Sequence, residues 1–377
     1  MKSGHKIIFD NDKFEIVRIV GAGANCVVYE VKKTDQEYTY RYYLKECYPF
    51  NAIITRSTDG SLKWADALEK ERNVKKFKEA YNTLLDIYND AHLRNSTSIP
   101  MDIYETNGTV YSLNDIKTGT TFEEDASESL SDILETAIAL TKLIEKYHNA
   151  GYLHLDIKPE NIFLLDETRE LLVLFDVDSV VSLDRLRNGE IRHISFSENY
   201  AAPEQKREKL FELSEQTDIY GIGATLFSKI MGRFVTALDR DIFADWDFDE
   251  IPLFKGINPQ VKKHIKDIFK KSLSVQPQNR YKNAGELAEA LLMAKKACDN
   301  EMYLISDYPS VIKNFVGRTD ELNKINEAFK NKNNIVFLHG FGGIGKSELS
   351  KKFAQVHNND YDAIIFCTYN GSLKNNK

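Results

Sequence analysis

Cysteines are few in this chain and long apolar runs are absent, and each shortage excludes a class of protein. Cys26, Cys47, Cys298 and Cys367 are widely spaced and include no CxxC pair, so neither a zinc site nor a disulfide framework is expected. No stretch approaches the roughly eighteen apolar residues of a membrane span. Ile7-Ile8-Phe9 near the N-terminus is too short for the apolar core of a signal peptide. Basic charge is not in excess: the net charge is −7 with both signs interspersed, which argues against an electrostatic footprint for nucleic acid. One dense basic run, Lys262-Lys263-His264 with Lys266, Lys270 and Lys271, is interleaved with Ile265, Ile268, Phe269 and Leu273, the pattern of the wet face of an amphipathic helix. The expectation is a soluble, cytoplasmic protein with neither a membrane nor a nucleic acid as partner.

What is present describes a globular chain. Its 377 residues, 42% hydrophobic and 28% charged, suffice for two domains with a large core. Residues 14–20, 27–31 and 38–44 are rich in β-branched and aromatic side chains and separated by short turns, as in an antiparallel meander. Helical spacing follows over 65–88, and two further strands, 101–105 and 109–113, flank the turn Asn107-Gly108. Beyond residue 117 the chain turns helical, over 131–150 with Gly151 closing the helix, and over 214–231, 259–273 and 284–296.

The border between the two halves carries the chemistry. His154-Leu155-Asp156-Ile157-Lys158-Pro159-Glu160-Asn161 sets an acid, an ammonium and an amide at close spacing, and the apolar strand Leu172-Val173-Leu174-Phe175 delivers a second acid, Asp176. Upstream, Gly21-Ala22-Gly23 lies between two strands and Tyr43-Leu44-Lys45 ends a third. Downstream come Ala202-Pro203-Glu204, Asp218-Ile219-Tyr220-Gly221 and Arg280. Each alone has a bland reading as a loop cap, an ordinary hairpin or a surface lysine. Together and in this order they resemble the bacterial, eukaryotic-like serine/threonine protein kinases.

That resemblance covers 9–298 and implies an α+β, bilobal fold, with a β-rich lobe over 9–116 and a helical lobe over 117–298. It implies ATP and Mg2+ as cofactors and protein serine or threonine hydroxyls as substrates. Asp156 is then the catalytic base, Lys158 reaches the transferring phosphate, and Asn161 and Asp176 are the magnesium ligands. Lys45 would grip the α- and β-phosphates, while Gly21, Gly23 and Val28 cover the nucleotide. Leu113 would back the adenine pocket, with the backbone from Asn114 to Ile116 as its hinge. Glu79 is the expected helix partner of Lys45, with Glu71 as the alternative. Three motifs depart from the pattern. Cys26 replaces the third glycine, Asp176-Val177-Asp178 replaces Asp-Phe-Gly, and Leu155 stands where most of the family carries an arginine. A leucine cannot pair with a phosphate, so Ser182, Ser195 and Ser197 are not expected to act as phosphate switches.

A second motif lies near the C-terminus. Residues 335–339 read as a buried strand, Gly340-Phe341-Gly342-Gly343-Ile344-Gly345-Lys346-Ser347 fits G-x-x-x-x-G-K-[ST], and a helix opens at Glu348. Backbone amides between Gly340 and Gly345 would cradle phosphates, with Lys346 reaching them and Ser347 on magnesium. With Phe315-Val316-Gly317-Arg318 ahead of it, this part resembles the entry to signalling NTPases of the STAND and NB-ARC class. The expected layout is a linker over 299–313 and a truncated P-loop NTPase unit over 314–377, whose last strand spans 363–368 and which lacks the second acid of such sites. A docking arm packed on the kinase is the alternative. The combined reading is a kinase acting as effector of a larger signalling fusion, with possible self-association through the NTPase region. Its rivals are a pseudokinase ATP-binding scaffold and a small-molecule kinase of the same fold, the latter disfavoured by Ala202-Pro203-Glu204 and Arg280.

Overall fold

A curved antiparallel sheet opens the chain in the computed structural model, which describes residues 1–9, 12–35, 38–126, 129–166, 168–241, 248, 251–255, 257–299, 315–330 and 335–357. The first lobe runs β1 (Lys6–Phe9), β2 (Asp12–Ala22), β3 (Cys26–Asp35), β4 (Tyr38–Cys47), a hairpin of β5 (Ile53–Arg56) and β6 (Leu62–Trp64), helix α1 (Ala67–Asn89), β7 (Pro100–Thr106) and β8 (Thr109–Asp115). Six strands share one sheet in the order β1-β2-β3-β4-β8-β7. Side chains alternate across it. Tyr29, Val31, Leu44, Tyr111 and Leu113 enter an apolar core with Phe9, Phe14 and Ile16. Phe9 of β1 stacks on Tyr104 of β7 with ring centroids 4.1 Å apart, so the two edge strands curl toward one another around that core.

One carboxylate sits inside this core. Glu46 is fully buried and accepts hydrogen bonds from Tyr29 (2.9 Å), Tyr111 (2.7 Å) and both terminal nitrogens of Arg56 (2.8 and 2.6 Å). A buried charge is tolerable only when so completely paired. Arg56 belongs to β5, so the pairing also pins the β5–β6 hairpin to the sheet. Helix α1 is capped by Asp66, whose side chain accepts the Glu69 amide, and it buries Phe77, Tyr81, Leu84 and Ile87 along one stripe.

The second lobe contains β9 (Thr120–Thr121), α2 (Leu130–Asn149), β10 (Tyr152–Leu153), β11 (Ile162–Leu164), β12 (Leu172–Leu174), β13 (Val181–Ser182), α3 (Leu183–Arg187), α4 (Pro203–Lys206), α5 (Glu215–Met231), α6 (Ala237–Asp241), α7 (Pro259–Ser272) and α8 (Ala284–Asp299). The expected β-rich and helical halves are therefore both present. Gly223 in α5 is required by close packing, because a Cβ there would lie 2.4 Å from the Ser272 hydroxyl. Arg280 and Glu204 form a fully buried bidentate pair at 2.7 and 2.8 Å.

By compactness, residues 1–246 with 266–292 form one unit, and residues 247–265 with 293–377 form another. Within the second, α9 (Thr319–Lys330) and α10 (Lys346–Val356) pack around Ile325, Leu349 and Phe353. The strand expected over 335–339 finds no ladder partner among the described residues. The strand expected over 363–368 and most of the expected linker lie outside the described residues.

Candidate active site

The loop between β10 and β11 is fixed from beneath by α5. Asp218 accepts the backbone amides of His154 and Leu155, each at 2.8 Å, and pairs with the His148 ring at 2.9 Å. Burial alone would raise the Asp218 carboxyl, but the hydrogen bonds it makes with the His148 ring and accepts from the His154 amide hold it below the ordinary value. His154 is buried in turn, and desolvation lowers its pKa, favouring the neutral ring. On this base Leu155 takes a left-handed backbone, with φ of 64°, and Asp156 faces the cleft.

The expected acid, ammonium and amide converge. Lys158 Nζ lies 3.1 Å from Asp156 Oδ2, and the Asn161 amide donates to the Asp156 carbonyl (2.9 Å) and carboxylate (3.1 Å). With its NH2 group so used, the oxygen of Asn161 is the atom left to face a cation. The Phe175 amide donates to the Asn161 carbonyl at 2.9 Å, which brings Asp176 alongside. Among the described residues no cluster of three or more His, Cys, Asp or Glu could hold a metal. Two oxygen donors suit Mg2+, which keeps waters and phosphate oxygens around one or two protein ligands. Residues Asn161 and Asp176 thus fit the cofactor that the resemblance implies.

Lys45 approaches from the other lobe. Its ammonium lies 2.9 Å from Asp176 Oδ1 and 2.8 Å from Asp178 Oδ2. Asp176 has a left-handed backbone (φ 61°, ψ 67°), and the tight turn over Val177–Ser179 swings the second acid back toward the same ammonium. Burial would lower the Lys45 pKa, but the two acids raise it well above the ordinary value. The Lys45 charge in turn pulls the Asp176 carboxyl down, whereas burial pushes Asp178 up.

Glu79 does not meet Lys45, and neither does Glu71: both are exposed. Helix α1 turns Asn73, Lys76, Phe77 and Ala80 toward a cleft cavity of about 140 Å³ that Asp156, Asp176 and Asp178 also line. Glu79 follows Phe77 by two residues, about 200° around the helix, and so points away.

Sheet parity corrects the adenine side as well. Lys45 pairs in register with Val28 on one neighbour and Ser112 on the other, so these three share the cleft face. Val28 therefore stands on the cleft face. Leu113 does not, because the next residue along a strand faces the opposite way, and it packs into the core with Leu44. Ser112 and Tyr43 occupy the cleft face in its stead, and the sequence reading missed both: alternation from Lys45 points to Tyr43, whereas Ser112 needs the register between the two strands. Asn114 is buried with its side-chain oxygen unpartnered, and the Asp115 amide is already used by Ile99 at 3.1 Å. Ile116 follows directly after β8. Gly23 lines the cavity, whereas Gly21 pairs with Val28 at the end of β2; a Cβ at either would meet nothing within 4 Å, so the loop leaves open space above the cleft.

The segment from Ser179 to Asn199 is held by two devices. Leu155 is buried in an apolar cluster with Leu153, Val181 and Leu213, against which Leu183, Leu186, Ile191, Ile194 and Leu210 pack. The position that carries arginine in most of the family is here part of a greasy staple. Ser197, treated in the sequence reading only as one hydroxyl among three, touches the site directly. Its amide donates to Asp156 Oδ1 at 2.9 Å and its hydroxyl accepts from Lys158 Nζ at 2.7 Å.

In the second unit, Gly340, Gly343 and Gly345 all have positive φ (152°, 80° and 91°), and α10 begins at Lys346, with Ser347 as its second residue. Lys346 Nζ donates to the carbonyls of Gly340 and Phe341 at 2.9 and 3.0 Å, folding back on its own loop.

Comparison with known proteins agrees with this geometry. Residues 14–293 match the protein kinase domain family. A probable serine/threonine-protein kinase of Clostridium perfringens is 23% identical over 292 residues, covering 76% of this chain and 38% of that protein. One of Clostridium acetobutylicum is 22% identical over 298 residues, covering 77% and 41%. The chain thus spans about two fifths of the length of these curated relatives. The solved structure described as the apo form of PpkA-294 shares the fold, with a TM-score of 0.55 at 24% identity, covering 77% of this chain and 99% of that one. With the match spanning most of the sequence, the chain belongs to the protein kinase family.

Proposed function

We propose that this domain transfers the γ-phosphoryl group of ATP to serine or threonine hydroxyls of a protein substrate. The observation that carries the reading is the convergence of Asp156, Lys158 and Asn161 opposite the Lys45–Asp176 pair. The substrate oxygen bonds to the γ-phosphorus, the bond to the β–γ bridging oxygen breaks, ADP leaves, and the hydroxyl proton passes to Asp156. Lys158 neutralises charge on the group in flight, and Lys45 holds the phosphates that stay behind. Magnesium, when bound at Asn161 and Asp176, supplies positive charge to the phosphate oxygens. Asp156→Asn is expected to abolish transfer while ATP still binds, and Lys45→Met to weaken both. Transfer of radiolabelled phosphate at the unmutated rate by the Asp156 variant would refute the assignment.

A nucleotide-binding scaffold without transfer is the second reading. It is favoured by Asp178, which engages Lys45 where the family has glycine, and magnesium-dependent transfer from labelled ATP decides between the two.

For residues 314–377 we propose a partial P-loop unit of the STAND or NB-ARC class, fused to the kinase as its effector and open to self-association. The positive-φ glycines and the helix opening at Lys346 support it.

A further inference from the structure

Lys45 is held by two acids, and only one of them can remain its partner once a nucleotide is bound. Asp176 lies beside Asn161, and any carboxylate that turns to phosphate-bound cation must loosen its grip on the ammonium. An ammonium with only 16% of its side chain exposed is costly to leave without a counter-charge. The helix that packs here cannot supply one, since it turns Asn73, Lys76, Phe77 and Ala80 to the cavity and exposes both Glu71 and Glu79. Lys76 adds a second positive charge, with its Nζ on the Ser195 hydroxyl at 2.8 Å.

We infer that Asp178 is the positioning residue of the catalytic lysine, the acid that keeps Lys45 aimed into the cleft when Asp176 serves the nucleotide. The backbone is built for this. Val177 is buried, and the Val180 amide closes the turn on the Val177 carbonyl at 3.0 Å, so the acids two residues apart are both directed at one ammonium. Of the two, Asp178 is the less exposed, 30% against 42% for Asp176. An aspartate where the family has glycine therefore replaces a helix acid that this chain does not bring to the site.

The inference rests on the cleft being the ATP site, and a double-mutant cycle read by nucleotide binding separates the two. The dissociation constant of a fluorescent ATP analogue with Mg2+ is measured for the full chain, Asp178→Asn, Lys45→Met and the double variant, with melting curves for each. Asp178→Asn is expected to weaken binding about tenfold, with recovery in Asp178→Glu, yet to change it less than about twofold in the Lys45→Met background. An equal effect in both backgrounds would mean that Asp178 acts on its own, as a ligand or a structural prop, and would overturn the inference. Unchanged binding in Asp178→Asn would overturn it too. Failure of the unmutated protein to bind the analogue is a distinct result, because it refutes the ATP site itself.

Discussion

Truncating Ile194 to alanine tests whether apolar packing, and not phosphate, orders the segment before Ala202-Pro203-Glu204. Ile194 is half-buried against the cluster that contains Leu155. Three carbons are lost, worth about 2.4 kcal/mol if fully buried and about 1 to 1.5 kcal/mol at half burial. That corresponds to roughly a five- to tenfold rise in the population of the opened segment. Arg187 and Arg192 provide tryptic sites within it, and limited proteolysis reads the open population when reclosing is fast. Cleavage in Ile194→Ala should quicken by that factor. Turnover on a peptide should fall only as far as the open form becomes populated. Ser182→Ala should change neither measurement, whereas Ser195 is left out because its hydroxyl holds Lys76. Ser197 is left out because its hydroxyl binds Lys158, so its loss would perturb the site for another reason. The reasoning fails if Ile194→Ala is cleaved at the parental rate, or if phosphatase treatment of the parent protein opens the segment as much as the truncation does.

Three further outcomes are expected. Arg280→Leu strands the buried Glu204 carboxylate and should cost about 3 to 5 kcal/mol, lowering the melting temperature by roughly 6 to 20 °C; replacing both residues by leucine should recover much of this, and a single-variant loss below about 1 kcal/mol would contradict it. Burial works against ionised Asp239, but hydrogen bonds from Arg233 and Thr236 prevail and hold its pKa at about 2, below the ordinary 3.8. Its contribution, roughly 2 kcal/mol, is thus present above pH 4 and lost as the pH falls toward 2; urea unfolding across that range should show a shallower acid limb in Asp239→Asn. Finally, any ATPase activity of this chain should vanish with Asp176→Ala and survive Lys346→Ala, and activity that follows Lys346 alone would overturn this account of the second motif.

The sequence disclosed what is encoded locally. Asp156, Lys158 and Asn161 sit within six residues of one loop, so their spacing nearly dictates their convergence, and the helices of the second lobe announce themselves through periodicity and caps. What it hid depends on facing. Leu113 was misplaced by a single residue of strand parity, which the register with Lys45 settles and the apolar pattern cannot, since β8 is buried on both faces. Glu79 was drawn to Lys45 by analogy, whereas the rotation of α1 is set by how Phe77, Tyr81, Leu84 and Ile87 seat on the sheet. Asp178 read as a defect because its partner lies more than a hundred residues away along the chain. The apolar staple around Leu155 likewise gathers residues from four separate segments.

Lys45 and the buried Glu46 are consecutive residues of β4 that face opposite sides of the sheet. The lysine's backbone is consequently tethered to the Tyr29–Tyr111–Arg56 clamp, and any shift of that clamp tilts the ammonium within the cleft. The cleft and the deep core of the first lobe are therefore mechanically linked through one peptide bond of this strand. Substitutions at positions 29, 56 and 111, outside the cleft, are thus a route by which the aim of the ammonium can be altered without touching the cleft walls.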